Sequence, residues 1–152
     1  NLNVVFTVSP VRHWRDGAHG NQVSKATLLL AIHKLVTLFD KVWYFPAYEI
    51  VLDELRDYRF YDAEMLQPNS QAVNYIWRRF TESHFSEQAR QYCREIDKII
   101  RARNHRASGH NIPAHRLFLQ QMLESTQSLA QRYPSALLEQ DRVFFQEALN
   151  HL

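Results

Sequence analysis

Cysteine is almost missing from this chain. Cys93 is the only one, which excludes an internal disulfide and any zinc cage built on cysteine thiolates. Long apolar runs are missing too: no uninterrupted stretch approaches the ~20 residues that a membrane-spanning helix needs, so no membrane partner is expected. No sign of charge dominates. The 18 basic and 16 acidic residues leave a formal net charge of +2, too little for a field that would gather nucleic acid. The start, Asn1-Leu2-Asn3-Val4, has no methionine, basic leader or signal-type apolar segment. A strand placed so early reads as a piece cut from a longer protein, and a reducing, cytoplasmic compartment is the expectation. What remains is a globular composition, 45% hydrophobic over 152 residues, enough for one compact body with a core and an appendage.

Residues 4–9, "VVFTVS", are β-branched and aromatic and end at Pro10, the pattern of a short buried strand. A polar loop, "PVRHWRDGAHGNQ", follows. From about Val23, apolar residues at Leu28, Ala31, Ile32, Leu35, Val36 and Phe39 recur at helical spacing, with Asn21 or Ser24 as N-cap. "VWYF" before Pro46 is a second strand. Strand, helix, strand predicts a parallel βαβ unit with a right-handed crossover. A parallel sheet is covered on both faces, so two strands imply either further strands upstream or a remnant.

Beyond Pro46, "AYEIVLDELRDY" reads as a short helix, and Pro68 opens a helix with Val73, Ile76, Trp77 and Phe80 on one face. Three more helices carry Tyr92, Ile96 and Ile99, then Leu119, Met122, Leu123, Thr126 and Leu129, then Leu138, Phe145 and Leu149. The character changes near residues 83–86. We therefore divide the chain into an α/β part, 1–83, and a helical extension, 84–152. Trp43, Trp77 and Phe145 fall at core spacings, and Cys93 sits on an apolar helical face, as a buried thiol would.

The separated stretches "FTVSPVRHWRDGAHGNQVSKATLLLAI", "YFPAYEIVLDELRDYRFY" and the block around Gln67 resemble, in order and over roughly residues 4–80, the bacterial GSCFA family, named for an N-terminal Gly-Ser-Cys-Phe-Ala motif. The resemblance implies a branch of the SGNH (GDSL-like) hydrolases, with a three-layer α/β fold, a serine nucleophile after the first strand and no cofactor. The implied substrate is an acyl ester, including carbohydrate esters. A late Asp-Met-x-His-Pro-Ser block would supply the base and its orienting carboxylate. Here that block reads Glu64-Met65-Leu66-Gln67-Pro68-Asn69. The defining N-terminal motif does not occur in the chain, so no nucleophile is assigned.

Imidazole takes the hydroxyl proton during attack and returns it to the leaving group, which needs a pKa near working pH. The amide of Gln67 has none. By analogy with removal of a triad histidine, the loss would be on the order of 10⁶-fold in kcat. Glu64 keeps a carboxylate but has no imidazole to orient. His13, just past the end of the first strand, is the first substitute base, on the edge where open parallel sheets bind ligands; His19 is second. Either is otherwise an exposed loop histidine. Arg12 and Asp16 pair with each other or meet an anionic ligand through Arg12. Asn21, Ser24 and Lys25 either cap the helix or contribute to a polar site. Asp53, Glu54, Asp57, Arg56 and Arg59 read as a solvated, self-compensating face.

His105, His110 and His115 are spaced by five, which does not align them on one helix face for zinc; no metal is expected. Arg101, Arg103, Arg106 and Arg116 lack the interleaved aromatics of a nucleic-acid surface. The expected function is thus that of an inactive member of a hydrolase or acyltransferase lineage. The alternatives are a binding module that holds a polar ligand at the 10–22 loop and Gln67, or a helical domain that self-associates through the Leu119 and Met122 stripe.

Overall fold

The computed structural model describes residues 2–105, 112–134 and 137–152. It divides into two compact units, Asn1–His84 and Phe85–Leu152. The described chain is mostly helical, with one small parallel sheet.

In the first unit, strand β1 (Val4–Phe6) pairs in parallel with β2 (Val42–Tyr44), in register Val4 with Val42, Val5 with Trp43 and Phe6 with Tyr44. Helix α1 (Gly17–Leu38) makes the crossover, as parallel pairing requires. Strand side chains alternate between faces, and the alternation decides the core: Phe6 and Tyr44 pack on Val8, Ile32, Tyr48 and Leu29. Val5 and Trp43, at the intervening positions, are exposed. Trp43 is therefore not the core residue its spacing predicts, being 43% exposed.

Helix α1 begins at Gly17, four residues before Asn21, so neither Asn21 nor Ser24 is its cap. Asp16 holds that position without a side-chain cap bond. Gly17 has φ +70°, a left-handed conformation that a Cβ disfavours. At Gly20 a Cβ would come within 2.7 Å of the Asp16 Cβ, so the two backbones approach only because the side chain is absent.

Helix α2 (Ala47–Glu49) runs on into a π-helical turn, Ile50–Leu55, closed by the Arg56 N–H donating to the Val51 carbonyl. Phe45, Ala47 and Ile50 form a second small core with Tyr75, Ile76 and Phe80 of α3 (Ser70–His84). Asn69 caps α3, its Oδ1 accepting from the Ala72 N–H at 3.1 Å, the role in which Asn and Ser are interchangeable. Trp77 packs on this core only at its margin, its ring 5.9 Å from that of Phe80, and is half exposed, so the expected packing is partial.

The second unit contains α4 (Glu87–Asn104), α5 (Ile112–Arg132) and α6 (Glu139–Asn150). Ser86 caps α4 by accepting from the Ala89 N–H. Ile99, Ala102, Leu119, Leu129, Leu138 and Phe145 form one buried core, so the α5 stripe expected to be free for association faces its own unit, with Leu119 buried and Met122 half-buried against it. Ion pairs Arg103–Asp141 (3.0 Å) and Arg132–Glu95 tie the helices at the rim. Cys93 is half-buried rather than buried. His105 and His115 each lie against the Phe118 ring, while His110 and Arg106 lie outside the described residues. Among the described residues no group of three or more His, Cys, Asp or Glu is placed to hold a metal, and no helix is long and apolar enough to cross a membrane.

Candidate functional site

The loop after β1 is held by three anchors. Lys25 is 6% exposed, and its Nζ donates to the Ser9 carbonyl at 2.7 Å. Burial lowers its pKa from the usual 10.5, because the charged form is the one that desolvation penalises. One turn earlier on the same face, the Asn21 Oδ1 accepts from the His13 N–H at 3.2 Å. The third anchor crosses to the Gln67 block, where the Arg12 N–H donates to the Leu66 carbonyl at 2.9 Å. Behind the loop, the Tyr48 hydroxyl donates to the Gln22 Oε1 at 2.7 Å.

The Gln67 block is a tight turn closed by Asp62. Its Oδ1 accepts from the Leu66 and Gln67 N–H groups at 3.1 and 3.3 Å, and its own N–H donates to the Gln67 carbonyl at 2.8 Å. Met65 adopts φ +58° at the apex, and Tyr61 bridges Pro68 in antiparallel fashion. Asn69 Nδ2 reaches back to the Arg59 and Tyr61 carbonyls. Asp62→Ala removes the acceptor for two backbone donors and is expected to cost about 1–2 kcal/mol. Chemical denaturation of the full chain measures it; a loss below about 0.5 kcal/mol would mean that water replaces the carboxylate at no cost.

Gln67 stands at the edge of an apolar groove of about 490 Å³, with Pro10 and Val11 of the loop, Val5 of the sheet, Phe45, and Val73 and Trp77 of α3 among its walls. Thus Gln67 and the 10–16 loop do meet, through the Arg12–Leu66 hydrogen bond and this shared groove. The other expected site residues are placed differently. Glu64 is exposed and makes no hydrogen bond or ion pair among the described residues; the carboxylate that engages the block is Asp62, two residues earlier. His13 is half-buried and held by its backbone, with no bond from its ring to Glu64 or Gln67, and His19 is exposed. Asp16 is exposed and forms no ion pair with Arg12. Instead, the Arg12 guanidinium lies over the Tyr61 ring, 4.2 Å from its centroid, and 5.4 Å from that of Tyr58. Ser83 Oγ lies 2.7 Å from His84 Nδ1, but that hydroxyl faces the Arg79 and Phe80 carbonyls of its own helix, and among the described residues no carboxylate orients the ring.

A GSCFA family model matches residues 1–80. The chain belongs to the GSCFA family. A second match, to the C-terminal domain of GSCFA domain proteins, covers residues 96–151, so the helices of the second unit are themselves a GSCFA feature. No curated protein and no solved structure matches the chain.

Two residues of this GSCFA site escaped sequence reasoning. Asp62 had a signal: an Asp opening a short polar segment favours bonds to backbone N–H groups just downstream. Tyr61 had none. It is buried, and its hydroxyl is the buried side-chain polar atom that lacks a hydrogen-bond partner among the described residues. Since an unmet buried hydroxyl is a cost, Tyr61→Phe is expected to leave stability unchanged or raise it by up to about 1 kcal/mol. A thermal melt in which Tyr61→Phe is clearly less stable would reveal a partner for that oxygen.

Proposed function

We propose that this GSCFA chain binds an acyl ester in the Gln67 groove without hydrolysing it through position 67, as an inactive member of an SGNH-like hydrolase or acyltransferase lineage with the three-layer α/β fold. The observation that carries the reading is the placement of an amide, rather than an imidazole, at the rim of an apolar groove that the 10–16 loop also borders. Its volume lies within the range of small-molecule sites, and its walls are mostly apolar with few polar groups. Such walls take an acyl chain, and the Gln67 amide is able to hydrogen-bond an ester oxygen. It has no proton to cycle at neutral pH, so binding and turnover are separated. The parallel βαβ unit supports the fold assignment.

Trp77 lines the groove and is half exposed, which makes it the reporter. A short-chain acyl nitrophenyl ester is expected to change Trp77 fluorescence saturably while its hydrolysis stays at the buffer rate, and Trp77→Phe removes the signal change. Gln67→His supplies a general base beside the bound ester and is expected to raise hydrolysis by about 10²-fold. Hydrolysis by the native chain would overturn the inactive assignment and bring His13 forward as base. No saturable binding would remove the groove as the site.

A further inference from the structure

Arg12, Arg56, Asp57, Tyr58 and Tyr61, with Val51 and Leu52, line a second, smaller recess of about 140 Å³. We propose that this recess is a binding site for a small oxyanion, a phosphate or carboxylate group, held by the guanidinium groups of Arg12 and Arg56. The proposal does not depend on what the apolar groove binds.

Arg12 and Arg56 make no ion pair among the described residues, whereas nearby acids are already engaged. The Asp57 carboxylate, also on the recess wall, accepts from the Arg59 N–H at 3.0 Å and lies 3.8 Å from the Arg59 Nε. Glu54 accepts from the Tyr75 hydroxyl at 2.6 Å and pairs with Arg79 at 3.6 Å. Asp16, the acid nearest Arg12 in sequence, does not reach it. Two arginines line the recess against a single carboxylate, Asp57, which already serves Arg59, and an anion would offset the positive charge left there.

The Arg12 guanidinium carbon lies over the Tyr61 and Tyr58 rings, contacts that restrain the planar group. The five N–H donors lie at the edge of that plane, in the fork that matches a carboxylate or phosphate, and no described residue accepts from them. The Arg12 main chain is itself pinned to Leu66, so the fork is positioned before any ligand arrives. Arg56 also lines the recess. Its φ is +54°, a left-handed conformation that costs a non-glycine residue energy, and it follows directly on the π-helical turn.

The test titrates the full chain with inorganic phosphate and, separately, with sodium acetate, each at constant ionic strength made up with sodium chloride. The Arg12 and Arg56 Nε–H resonances are followed by NMR. Saturable shifts in both resonances with either anion are expected; phosphate alone would identify a phosphoryl ligand, and acetate alone a carboxylate. Arg12→Gln and Arg56→Gln are each expected to weaken binding by about tenfold or more, the size of a lost charge-assisted hydrogen bond. Arg12→Lys keeps the charge without the planar fork and is expected to fall between. Linear, non-saturating shifts with both anions, or unchanged affinity in both glutamine variants, would overturn the proposal.

Discussion

Replacing Phe145 by alanine is expected to abolish cooperative folding of the helical unit. Phe145 is fully buried, 0% exposed, in the core that Ile99, Leu119, Leu129 and Leu138 share. Truncating such a ring costs about 3–5 kcal/mol, the lost transfer energy plus the cavity left behind. A unit as short as Phe85–Leu152 has little margin, because small domains bury a smaller fraction of their surface and their stability is only about 5–15 kcal/mol at best. Far-UV circular dichroism melts of the full chain read the effect, since most of this unit's signal is helical. Phe145→Leu keeps most of the volume and is expected to cost less than half as much. Leu137, 95% exposed, is the control: Leu137→Ala should stay within about 0.5 kcal/mol of the parent. A Phe145→Ala melt that overlays the parent would refute the assignment of this core.

Removing the Lys25 amine is expected to give the next largest loss, and to release the 9–16 loop. Lys25→Ala deletes the donor to the Ser9 carbonyl and opens a void beside Tyr48, whose ring lies 5.9 Å from Nζ. The unmet carbonyl alone accounts for about 1–3 kcal/mol. Lys25→Met keeps most of the volume and also removes a buried charge, so it should be milder than alanine. The two variants also differ from the parent in their response to pH. Burial holds the folded pKa of Lys25 below 10.5, so the unfolded chain keeps this proton to a higher pH than the folded one. Protonated Lys25 therefore costs stability below its folded pKa, and the cost fades as pH rises from there to 10.5. Denaturation of parent and Lys25→Met across that window should show the gap between them move in the parent's favour; a constant gap would mean that Lys25 titrates as an exposed lysine does. Amide exchange of His13 and Arg12 should rise in both variants.

The elements themselves were legible because they rest on local patterns. Val4–Phe6 and Val42–Tyr44 pair as parallel strands around a helical crossover, as the β-branched runs and the spacing between them imply. The sequence pattern places the start of α1 late, at about Val23, because Gly17 and Gly20 look like loop residues. Their real role is a left-handed first residue and a close approach to Asp16, neither of which composition distinguishes from a turn. Core spacing misleads at Trp43 and Trp77 for a related reason: periodicity states which residues share a face, not whether anything covers it. In the helical unit the same pattern led correctly to Phe145, because three amphipathic helices in sequence have one another to pack on.

By itself the sequence determined the family, the helical and strand segments, and the chemistry that position 67 is unable to perform, since an amide has no proton to exchange near neutral pH. Only the tertiary structure decided which polar groups meet. It brought Lys25 to Ser9 and Asn21 to His13, set Asp62 rather than Glu64 on the Gln67 turn, and separated Arg12 from Asp16 to lay it on Tyr61. The Asp62 turn is local and had a sequence signal; the others are contacts between segments whose relation no local rule specifies. These are settled by how the strands, α1 and the π-helical turn pack.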